Sequence, residues 1–219
     1  MPDWAEQADT AAARYRDGEA RLGGGDDDVD PRQRQLTRLG NAAWAAGLCL
    51  LMAGHRDDAA VWLRLAAGRY RESWQEAPPD SWGRPIGAIK ALLLAGDDAG
   101  DAAIWALEAG AAEAGSPIGR YAGALALLVL GRDSEAGALA ATLEGRDDFP
   151  PDVGAAIAAL AAADGAGYKA AVAAVLRSFE ARDEFLEGVA VADTVLVLQR
   201  LAAERGLAVV LPVSVRLPS

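Results

Sequence analysis

The chain has 219 residues, one cysteine and one histidine, and a formal net charge of −11. That length suits one domain burying about 70% of its unfolded surface, so no disulfide or metal is needed to hold it. The lone Cys49 excludes an internal disulfide and fits a reducing cytoplasm, and the acidity argues against nucleic acid while favouring a basic protein partner.

Alanine and leucine dominate, and β-branched residues are sparse outside the tail, so helix is expected nearly throughout. The first helix is predicted at 3–21; with Asp3, Glu6 and Asp9 it lacks the apolar centre of a signal peptide. Gly23-Gly24-Gly25 and the acidic run Asp26 to Asp30 separate it from the rest. Helices are then predicted at 32–53, 57–75, 85–95, 98–114, 117–130, 133–144, 152–163, 167–182 and 190–205. The apolar run from Ala42 to Ala53 stops well short of the ~18 residues that a membrane span needs, so it reads as a buried helix of a soluble protein.

One kind of corner recurs: an apolar helix ends in glycine, a few polar residues follow, and an Ala-rich helix begins. It stands at Gly54, Gly96 and Gly131, with a weaker copy at Gly165, spaced 42, 35 and 34 residues apart. Glycine supplies the left-handed residue that stops a helix, and the Asp or Ser after it is expected to cap the next one. Ser116-Pro117 reads as an N-cap followed by proline at the first helical position, and Pro85 and Pro151 suit similar places. Periods of this size mark stacked helical hairpins. Past Gly206 the pattern changes to period two, with Leu207, Val209, Leu211, Val213, Val215 and Leu217 apolar. That predicts an extended tail, either strapped over the last hairpin or donated to a second copy.

Catalytic chemistry finds little support. His55 lies in a polar turn, Cys49 sits among leucines as an inert core thiol, and no Gly-x-Ser-x-Gly elbow occurs. No cofactor or metal site is expected. Zinc wants several Cys or His ligands, and the calcium-like spacing of Asp26, Asp28 and Asp30 fails at Pro31 and Thr37, where glycine and glutamate are required. Trp44, Trp62 and Trp105 stand at helical spacing and read as core. A cation–aromatic concentration is the better binding signal: Arg71, Trp74, Trp82, Arg84 and Lys90, with Arg120 and Tyr121 at the start of a later helix. It has two readings, a Trp/Arg pocket near 74–121 for a small ligand or a reaction, and tryptophans clamping a Pro-rich loop.

In Gly54-x4-Ala59-x6-Ala66, Gly131-x4-Ala136 and Gly165-x4-Ala170, the small residues stand as in tetratricopeptide (TPR) repeats, so the hairpins resemble that family in degenerate form. Leu39-Gly40-Asn41-Ala42-Ala43-Trp44 resembles the start of TPR repeats that clamp a C-terminal carboxylate, but the matching second-repeat Asn and basic residues are not found. Trp82 to Asp97, Ala192 to Gly206 and the Leu-Pro ending are similar to the immunity protein 49 family, all-helical proteins thought to neutralise toxins. The expected fold is all-α, a TPR-like array in one domain over 1–219: an N-terminal helix (1–22), helical hairpins (32–206) and a C-terminal strap (207–219). Its expected function is non-enzymatic protein binding, as an immunity-like inhibitor of a basic partner; a self-associating subunit joined through the tail is the structural alternative.

Overall fold

A computed structural model describes residues 2–22 and 32–218. The glycine and aspartate separator at 23–31, and with it the calcium-like spacing, lies outside the described residues. Ten α-helices and no strand occur among those described. In chain order they are α1 (Trp4–Leu22), α2 (Arg32–Met52), α3 (Arg56–Trp74), α4 (Gly83–Ala95), α5 (Gly100–Glu108), α6 (Pro117–Val129), α7 (Asp133–Ala141), α8 (Pro151–Ala161), α9 (Gly165–Glu180) and α10 (Asp193–Glu204). No described helix is long and apolar enough to cross a membrane.

Contacts gather the chain into two units. The first holds the described residues of Met1–Asp97, Asp183–Val191 and Ser214–Ser219; the second holds Asp98–Arg182 and Ala192–Val213.

In the first unit α2 packs against α1 and α3, and α3 against α4. From Ala42 to Cys49, Trp44 included, α2 is apolar on every side and buried, and in its polar first half Leu36 and Leu39 turn the one apolar stripe inward. Tyr70 of α3 fixes the spacing. A Cβ at Gly40 of α2 would stand 2.8 Å from its ring, and one at Gly87 of α4 would stand 2.7 Å away. The phenol donates a 3.0 Å hydrogen bond to Asn41 Oδ1. Gly40 and Asn41 thus serve the interior, which explains the clamp-like string without a clamp. Arg69 of α3 donates to the Tyr15 hydroxyl (3.1 Å) and to Glu72 (2.8 Å), and it pairs with Glu19, tying α1 down. Trp62 is half-buried with its ring edge-on to Tyr15 at 5.4 Å.

In the second unit consecutive helices pack in order from α5 to α9, with α10 against α8 and α9. Glycines again set close approaches: a Cβ at Gly123 would stand 2.9 Å from the Ala112 backbone. Trp105 is buried, as its spacing predicts. Arg205, just past α10, donates to the Leu128 carbonyl and to Asp133 Oδ1, both at 2.6 Å, so α10 is tied to the α6–α7 corner.

Gly54, Gly96 and Gly131 have φ of 84°, 82° and 68°, the left-handed geometry expected at the corners. The fourth corner departs from expectation. Its left-handed residue is Ala163 (φ 53°), Asp164 caps α9 through Ala166 N and Gly167 N, and Gly165 is merely the first helical residue. Ser116 caps α6 through Gly119 N, with Pro117 in its first turn. The predicted helix at 98–114 is shorter, because Gly110 (φ 87°) ends it at Glu108.

The tail is extended without forming a strand. Its period two holds for Leu207, Val209 and Leu211, which face inward, and fails after Pro212, where Val213 and Val215 are exposed. Proline removes the N–H there and holds φ near −65°, so the ribbon's alternation is interrupted.

Candidate functional site

The predicted cation–aromatic residues fall in both units. Arg71, Trp74, Trp82, Arg84 and Lys90 belong to the first, at the junction of α2, α3, α4 and the loop 75–82. Pro78-Pro79 cannot continue α3, and the chain turns through Asp80 at φ 61°. Ser81 Oγ donates to the Pro78 carbonyl (2.7 Å), and Trp82 Nε1 donates to Asp80 Oδ1 (3.0 Å). Trp82 is only 6% exposed and its ring stacks, tilted by 42°, on Trp74 at 5.8 Å. This is the loop-clamping arrangement: the indoles pack on each other and on the loop.

Arg84 lies in the first turn of α4, half-buried. Its Nε donates to Ser73 Oγ at 2.9 Å, and its Nη2 donates to Gln33 Oε1. Both partners are neutral and buried, and burial pulls the guanidinium below its ordinary pKa. Lys90 is buried on the same helix, while Arg71 is exposed near the end of α3. Arg84 therefore works as a bolt through α2, α3 and α4.

Arg120 and Tyr121 belong to the second unit, on α6. Arg120 Nε donates to the Ala114 carbonyl at 3.1 Å, bracing the turn that precedes its own helix. Tyr121 is buried, 5.5 Å from the Phe149 ring. Both residues hold the helix start in place.

Cys49 is fully buried, and burial pushes its thiol up to about 11, which leaves it protonated and unreactive. His55 is exposed at the N-cap of α3 without a side-chain cap. Among the described residues no three His, Cys, Asp or Glu side chains converge as metal ligands.

Two open grooves carry the surface features that residue types alone did not reveal. One runs along the outer face of α3, with about 510 Å³ bounded by Val61, Leu65 and Gly68. Val61 and Leu65 are 54% and 39% exposed, and nothing lies within 4 Å of where a Gly68 Cβ would stand. Its rim is ion-paired: Arg64 holds Asp97 through two hydrogen bonds of 2.6 and 2.8 Å, and Arg69 holds Glu72. The spacing 61, 65, 68 is a helical stripe, visible in the sequence but outweighed there by the aromatic signal.

The second groove, of about 690 Å³, lies in the second unit between α9 and the tail. Its floor is Ala166, Ala170 and Ala173, Lys169 and Arg177 stand on the same helix face, and Val210 with its two successors forms the lip. The tail is held there by Leu207 N, which donates to the Ala202 carbonyl (2.8 Å), and by the side chain of Gln199. Gln199 of α10 donates to the Val209 carbonyl and accepts from Val209 N (3.3 Å) and from the Tyr168 hydroxyl (2.9 Å). Tyr168 is fully buried, and burial raises its phenol pKa, so it remains a donor.

Compared with protein-family models, with curated proteins and with solved structures, the chain finds no match.

Proposed function

We propose that this chain is a non-catalytic protein-binding module whose hairpins are of the TPR-like kind. The observation that carries this reading is the outer face of α3. There an exposed apolar stripe runs past an open glycine and is framed by ion pairs within the chain. Apolar centre and polar rim are the anatomy of an interface, and a glycine with open space above it admits a side chain from outside. The net charge of −11 adds long-range attraction for a basic partner and speeds encounter. The similarity of Trp82 to Asp97 and Ala192 to Gly206 to the immunity protein 49 family supports a toxin as that partner, with the chain as its cytoplasmic inhibitor.

The test is affinity capture from the native host with the wild-type chain, Val61→Glu and Leu65→Glu. Both side chains are already exposed, so the variants keep their melting temperature within a few degrees. A basic protein held by the wild type should be lost by both variants, and its uptake should slow as salt rises. Equal capture by all three chains overturns the α3 face as the interface.

A further inference from the structure

The tail of this protein presents an unused strand edge. Val209 directs both its N–H and its C=O to Gln199. In extended backbone, successive residues point these groups to opposite edges, so Ala208 and Val210 point theirs the other way. Among the described residues neither of them makes a hydrogen bond. Val210 is 93% exposed beside the groove, and Val213 is fully exposed. A free edge with exposed β-branched residues is a template for another strand.

The groove beside this edge also has a charge signature. Lys169 and Arg177 are exposed, and neither has an ion pair or side-chain hydrogen bond among the described residues. Arg21 and Arg56 are likewise without an ion pair among the described residues, but neither lines this groove. The two lie eight residues apart on one face of α9, about 12 Å along the axis. Extended chain covers about 13 Å in four residues and returns to the same face.

We propose that this groove binds an extended acidic segment of a partner protein by strand addition to the tail. The segment pairs its backbone with Ala208 and Val210. Two carboxylates four residues apart meet Lys169 and Arg177, and the residue midway between them rests on the alanine floor. The inference deepens the reading of the chain as a binding module: net negative charge draws a basic partner in, and this cationic groove sets the register by engaging an acidic stretch of it.

The probe is the peptide acetyl-Asp-Val-Ala-Val-Asp-amide, titrated into the full-length isotope-labelled protein and followed by amide NMR. The expected result is saturable shifts of the Ala208 and Val210 amide signals, absent with acetyl-Lys-Val-Ala-Val-Lys-amide. Charge reversal, Lys169→Glu with Arg177→Glu, should weaken binding at least about tenfold, the loss of roughly 1.4 kcal/mol. Val210→Pro removes an unused N–H from extended backbone and should abolish it. The exposed double reversal keeps the test decisive should the proline variant misfold. No shift at several millimolar peptide, or equal shifts with the lysine peptide, overturns the proposal. So does a protein that sediments as a dimer and becomes monomeric on Val210→Pro, because the edge is then occupied by a second copy. A native partner whose capture survives the charge reversal and the proline removes the groove while leaving the binding-module reading intact.

Discussion

Tyr70 shows how single atoms set helix spacing in this protein. Its ring lies between Gly40 and Gly87, so it cannot retreat from a methyl group on either side. Gly87→Ala gains about 1 kcal/mol of helix propensity but meets the ring at 2.7 Å, and the overpacking cost of about 1–3 kcal/mol wins. Gly68→Ala on α3 has open space and gains the propensity alone. Urea denaturation should therefore show opposite signs for the two variants. Cys49 gives a pH test. Its thiol is raised from 9.0 to about 11, so between those values the unfolded chain has lost a proton that the folded chain keeps. Stability falls with rising pH in that window, by about 2–3 kcal/mol in total. Cys49→Ala removes that part of the loss, and the difference between the two proteins' urea midpoints from pH 8 to pH 11 measures it. The inert thiol was legible from its leucine neighbours. The Tyr70 seat was not, because it joins three helices through residues that no local pattern links.

At the scale of elements, the corners carry the sign-bearing comparison. Gly54, Gly96 and Gly131 are left-handed, so alanine there costs about 1–2 kcal/mol. Gly165 is helical, and alanine there should stabilise by about 0.4–1 kcal/mol. Ala163→Gly, at φ 53°, should also stabilise. Thermal melts of these variants check the assignment; destabilisation by Gly165→Ala would return the corner to Gly165. All ten helices could be read from apolar periodicity and glycine punctuation, and most ends fall within a few residues of the predicted ones. The exceptions have physical causes. The alanine run across Gly110 masked a stop, and at the fourth corner the capping strength of Asp164 imposes the left-handed turn on an alanine.

For the whole molecule, the sequence reads as one continuous series, and Gly96-Asp97-Asp98 looks like another glycine corner with acidic residues after it, although the contacts divide the chain there into two units. The aromatic cluster was legible as a special place, yet its residues are spent on holding a loop and bolting helices. The grooves were hidden for the opposite reason. Their floors are alanine and valine, the commonplace residues of this chain, and only the fold decides which of them face outward. Gln199 shows how narrowly the tail is held. One amide supplies both the donor and the acceptor that Val209 meets, and a carboxylate of the same shape could supply only the acceptor. Gln199→Glu, or slow deamidation at that position, would set an anion against the Val209 carbonyl and work as a latch release: exchange of the Val209 amide should speed up while α9 and α10 keep their protection. A change of one atom would thus slacken the ribbon between two moorings that stay in place, Leu207 N on the Ala202 carbonyl and Arg216 over the Phe185 ring.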